Sequence, residues 1–116
     1  ISGMNIDLFV NRIHSYSPLT SENLIKMSNT VTDVSKDILP NESLDCVVYG
    51  CTSGTIATGY ETIKNKINLA KPSAKVTTPS TAALNALKKM NIKKLIIYKK
   101  ETTSIFITIQ NRLMER

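Results

Sequence analysis

The chain has 116 residues, of which 41% are hydrophobic, and carries a net charge of +6. That length and content suit one folded domain with its own core and exclude compositional disorder. They also exclude a membrane span, because no apolar run approaches roughly 18 residues.

The N-terminus, ISGMNIDLFVNRIH, lacks the basic start and long apolar stretch of a signal peptide. Met4 to Ile13 alternates Ile6, Leu8 and Val10 with Asp7, Phe9 and Asn11, which predicts a strand. Thr20 is placed to cap a helix with Glu22 near its positive end. Leu24, Met27, Val31, Val34 and Ile38 continue that helix at three- and four-residue spacing until Pro40 and Asn41. Leu44 to Tyr49 is a short β-branched run, as expected of a strand buried on both faces, with Cys46 as a core residue. Ser53 or Thr55 starts the next helix, which carries Ile56, Tyr60, Ile63 and Ile67 and stops before Pro72. Lys75 to Thr78 reads as a third strand, and Pro79 opens a helix whose buried face is Ala83, Leu84 and Leu87. Leu95 to Tyr98 reads as a fourth strand and Thr102 to Arg116 as a last helix.

This alternation predicts a single α/β domain over residues 1–116, a parallel four-stranded sheet with helices on both faces. Ligands in such sheets bind beyond the carboxyl ends of the strands. Cys51 falls there, as do Arg12 and His14, Thr77 to Ser80, and Lys99 to Thr103. The lysines read as solvated helix faces rather than a nucleic-acid surface, since aromatics are 5% and no nucleic-acid motif is present. Two free thiols, Cys46 and Cys51, point to a reducing, cytoplasmic setting.

The stretch DCVVYGCTSGT, residues 45 to 55, holds the chemistry. A helix starting near Cys51 aims free backbone N–H groups at the sulfur and favours a thiolate. The same donors suit a carboxylate, with hydroxyls added by Thr52 and Ser53 and close approach allowed by Gly50 and Gly54. Other thiol chemistries fit less well. Position 57 is Ala57, where a phosphatase loop needs arginine, and the cysteines do not form CxxC. His14 is the single histidine, so no zinc site is expected, although a Cys51–His14 nucleophile pair stays open. Neither a GxGxxG nor a P-loop is present.

DCVVYGCTSGTIATG, 45 to 59, resembles the first-cysteine motif of the maleate cis-trans isomerase and arylmalonate decarboxylase branch of the aspartate/glutamate racemase superfamily. PLTSENLIKM, 18 to 27, and KPSAKVTTPSTAALNALKKMNIKKL, 71 to 95, are similar to the family's preceding helix and its following strand–helix segment. NRI, 11 to 13, lies where the family often carries an arginine. The resemblance implies an enzyme without cofactor or metal, acting on a small carboxylate or dicarboxylate. Cys51 would be nucleophile or acid/base. Thr52, Ser53 and Gly54 would hold the carboxylate, with Arg12 and Thr78 as further contacts. In the isomerase the thiol adds to an alkene; in racemases two thiols work on opposite faces of a carbon; the decarboxylase lacks the first thiol.

The likeness also has gaps. The family runs to roughly twice this length, and its second half, with the other cysteine, has no counterpart here. Its "T-P-Y" after the fourth strand is replaced by Lys99-Lys100-Glu101, and KKETTSIFITIQNRLMER fits poorly. The alternatives are a catalytically incomplete fragment or paralogue that keeps the fold, and a decarboxylase of the arylmalonate type. A half-enzyme would expose the surface its partner covers, so self-association into a homo-oligomer, or a missing second half, is expected. No nucleic-acid or membrane partner is expected.

Overall fold

A computed structural model of the chain describes residues 5–93. In chain order the elements are α1 (Ser21–Ser28), α2 (Val31–Lys36), β1 (Cys46–Val48), α3 (Thr52–Thr58), α4 (Tyr60–Ala70), β2 (Lys75–Thr77) and α5 (Pro79–Lys89). The chain divides into two compact units, Ile1–Ala82 and Ala83–Arg116.

The four-stranded sheet is not what forms. The described residues are mostly helical, and their sheet has two parallel strands, with Val47 opposite Val76. Tyr49 N–H and Lys75 N–H extend the ladder to Thr77 O and Asp45 O at 3.0 Å each. The first expected strand fails because its alternation buries nothing: Ile6, Leu8, Phe9 and Val10 are all exposed. Residues 7 to 11 line a cavity of about 250 Å³ together with Cys46 to Val48 and form no ladder with β1. Asn11 Nδ2 instead donates to Val34 O on α2 at 3.1 Å. The expected strand at 95–98 and helix at 102–116 lie outside the described residues.

With no strand paired on its other side among the described residues, β1 is not buried on both faces. Val47 faces the core, while Val48 is 65% exposed and Cys46 is exposed rather than a core residue. Strand parity decides this, since successive side chains take opposite faces.

The helix read through Leu24 to Ile38 and the one read through Ile56 to Ile67 are each broken in two. Thr20 Oγ1 does cap α1, accepting from Asn23 N–H at 3.2 Å. The helix then tightens: Asn29 and Thr30 N–H bond back to Lys26 O and Met27 O, and Thr30 Oγ1 takes Met27 O as well. Side-chain competition of this kind ends helices. Gly59, at φ +90, makes the matching break between α3 and α4, a conformation suited to glycine. The broken pieces pair off, α1 against α3 and α2 against α4. Lys66 Nζ on α4 then donates to Ser28 O at 3.0 Å, a carbonyl that the end of α1 leaves free, and to the Asn29 side-chain Oδ1 at 3.1 Å.

The core lies between α2, α4 and the sheet. Val31, Val47, Tyr49, Ile63, Ile67 and Ala74 form it, with Cys51 packed at its margin. At its lower edge the buried Lys71 donates to Leu39 O and Glu42 O, both at 2.8 Å. Those bonds hold a loop in which Leu39 and Asn41 have positive φ. In the second unit, Leu84 and Leu87 are half-buried and Ala83 is exposed.

Candidate functional site

The chain leaves β1 through Tyr49 and Gly50 and enters α3 at Thr52. Cys51 is the N-cap, with extended backbone at φ −129 and ψ 105. Its sulfur takes the place an N-cap oxygen usually fills, accepting from Gly54 N–H at 3.2 Å. Ser53 Oγ lies 3.8 Å from the same sulfur. Thr55 Oγ1 donates to Cys51 O at 2.6 Å and fixes the turn from below. The N–H groups of Thr52 and Ser53 open the helix and have no partner within it. α3 has seven residues, so the field at the sulfur comes from these individual N–H groups rather than from a long helix dipole.

The two glycines differ. A Cβ on Gly54 would stand 2.7 Å from Tyr49 Oη and 2.9 Å from Cys51 Sγ, so only glycine lets the phenol, the sulfur and the helix come together. A Cβ on Gly50 would meet nothing within 4 Å, and that side of the turn is open.

Tyr49 was missed by reading the sequence for chemistry. Its side chain is 5% exposed, and its hydroxyl is buried with no hydrogen-bond partner. Burial above all, and then the charge and donor demand of Cys51, push the phenol up to about 12. The hydroxyl makes no hydrogen bond to the sulfur or to any other group among the described residues, so it stays spare and protonated. A signal was present in the sequence: Val47 and Tyr49 share parity along the strand, so the phenol is turned to the core side two residues before the thiol.

The structure brings Cys51, Thr52, Ser53 and Gly54 into one turn, with Thr52 exposed, Ser53 half-buried and Gly54 buried. Thr78 follows β2 at the same end of the sheet, but it is buried and its hydroxyl bonds Thr81, receiving Thr81 N–H at 3.2 Å. It caps α5. Arg12 is exposed, and its N–H bonds Asn11 Oδ1 at 2.8 Å. His14 stacks edge-on with Tyr16, ring centres 4.7 Å apart, and does not hydrogen-bond Cys51. Among the described residues no three His, Cys, Asp or Glu side chains gather as a metal site, and no helix is long and apolar enough to cross a membrane.

Comparison with protein-family models, curated proteins and solved structures gives no match to this chain.

Proposed function

We propose that the turn at Cys51 is a thiol site for a small carboxylate or dicarboxylate, working as in maleate cis-trans isomerase. The observation that supports it is the sulfur itself: half-buried beyond the end of β1 and served by Gly54 N–H and Ser53 Oγ. The thiolate pair forms a C–S bond to one alkene carbon, and the double-bond pair moves to the neighbouring carbon and into its carboxylate. Thr52 and Ser53 hydroxyls hold that carboxylate as charge builds on it. The remaining single bond rotates. The pair then returns, the double bond re-forms in the trans arrangement, and the thiolate leaves unchanged. Neither a cofactor nor a metal takes part in this reading.

One thiol suffices for these steps. Racemisation needs an acid and a base on opposite faces, and the other thiol, Cys46, is exposed at the far end of β1. That placement favours addition chemistry. It also favours a second reading, in which the chain binds a carboxylate without turning it over.

Iodoacetamide labelling of both cysteines, quantified by mass spectrometry, tests the site. Maleate is expected to protect Cys51 several-fold and leave Cys46 untouched. Equal labelling with and without maleate, and with other small diacids, removes the proposal. Where protection is found, proton NMR of maleate separates the readings: a growing fumarate signal that Cys51→Ser abolishes means turnover, and its absence means binding alone.

A further inference from the structure

We infer that Tyr49 is a positioning residue for the thiol chemistry proposed above: its buried hydroxyl is the donor reserved for the Cys51 sulfur when that sulfur carries negative charge. The inference rests on that reading for its role in catalysis, and on the burial and placement of the hydroxyl for the rest.

Three observations carry it. The hydroxyl is sealed from solvent and has no partner, and an unpaired buried donor is destabilising unless something uses it. It and the Cys51 sulfur border the same small space beside Gly54, 2.7 and 2.9 Å from the point a Cβ there would occupy. And it stays protonated far above neutrality, so it has a proton to donate whenever the thiol ionises. The ring is fixed in the core with Val47, Ile63 and Ile67, which aims the hydroxyl without cost at the moment of reaction.

No other group competes for this role. Of the charged side chains on the elements packed near α3, Lys26 lies over the Tyr16 ring at 4.3 Å and Lys66 is held by Ser28 and Asn29. Glu61 and Lys64 pair at 3.8 Å, and Glu22 and Lys75 are exposed. Among the described residues, the hydrogen-bonding groups at the sulfur are Gly54 N–H and Ser53 Oγ, both neutral.

The test compares wild type with Tyr49→Phe, which keeps the ring and removes the donor. Iodoacetamide rates at Cys51 and Cys46 are read in the same molecules at pH 7 and at pH 10. The variant is expected to slow Cys51 about tenfold at pH 7, one charge-assisted hydrogen bond's worth, and to leave Cys46 unchanged. The difference should close at pH 10, where thiols ionise unaided. A merely structural role would change access to the sulfur and move both pH values together. An unchanged Cys51 to Cys46 ratio at pH 7, or an equal change at both, overturns the inference.

A second measurement leaves Tyr49 in place. Phenol titration by ultraviolet absorbance should show one late tyrosine near 12 in wild type. In Cys51→Ala that tyrosine should titrate earlier while staying above the ordinary value, because burial persists and the sulfur is gone. No movement between the two chains also overturns the inference. Maleate protection is scored separately. Protection without a Tyr49 effect keeps the proposed function and removes the positioning role; a Tyr49 effect without protection does the reverse.

Discussion

Gly54→Ala is expected to destabilise the fold by about 1–2 kcal/mol and to make Cys51 label like the exposed Cys46. Intrinsic preference runs the other way, since alanine in a helix is favoured over glycine by about 1 kcal/mol. A net loss therefore reports a collision. The new Cβ would stand 2.7 Å from Tyr49 Oη and 2.9 Å from Cys51 Sγ, closer than real Cβ contacts come. Tyr49 cannot yield, because its ring is locked among core residues. The sulfur can, by rotating about one bond, and in doing so it gives up the Gly54 N–H. Gly50→Ala, with nothing within 4 Å of its Cβ, is the matched control and should leave stability and labelling unchanged. Urea denaturation and the Cys51 to Cys46 labelling ratio read both effects. A Gly54→Ala chain as stable as wild type, with its labelling ratio intact, would show that the close approach is not needed.

Ile63→Ala should cost more, about 3–4 kcal/mol. Ile63 is 0% exposed and sits one helical turn from Ile67, so the pair forms the α4 side of the core against Val31, Val47, Tyr49 and Ala74. Truncation removes the apolar contact and leaves a hole that short, broken helices have little reach to fill. A loss of that size is a large share of the total for a small unit. Leu69 lies on the opposite side of the same helix at 75% exposure, and Leu69→Ala should stay within about 0.5 kcal/mol. The pair of urea midpoints decides it: similar shifts for the two variants would mean the core is not where the burial places it.

The elements with local punctuation were legible in the sequence. Thr20 announces α1, Pro79 opens α5, and the β-branched runs at 46–48 and 75–77 are the two strands. The turn holding Cys51 was legible too, because glycine, a hydroxyl pair and the end of an apolar run coincide there. What depends on partners was not. Alternation from Ile6 to Val10 becomes a strand only if a neighbour pairs with it, and β1 pairs with β2 instead. The breaks at Asn29–Thr30 and Gly59 hide inside intact apolar periodicity, because side-chain hydrogen bonds and a positive φ interrupt the backbone without disturbing the spacing. Tyr49 ends the run read as a buried strand, and it is buried. Its second role appears only when Gly54 brings α3 against the end of its ring.

Protons are a ligand of the folded state through that same phenol. An unfolded tyrosine ionises near 10, whereas Tyr49 in the fold holds its proton to about 12. Between those values the folded chain binds a proton that the unfolded chain has lost, so stability falls as pH rises through this window. Below 10 the contribution is fully present; above 12 it is gone. The urea midpoint of wild type should therefore decline more steeply than that of Tyr49→Phe across this range, and parallel curves would mean the phenol ionises in place. A donor kept dry for a sulfur thus ties the alkaline limit of the fold to the residue that equips its reactive turn.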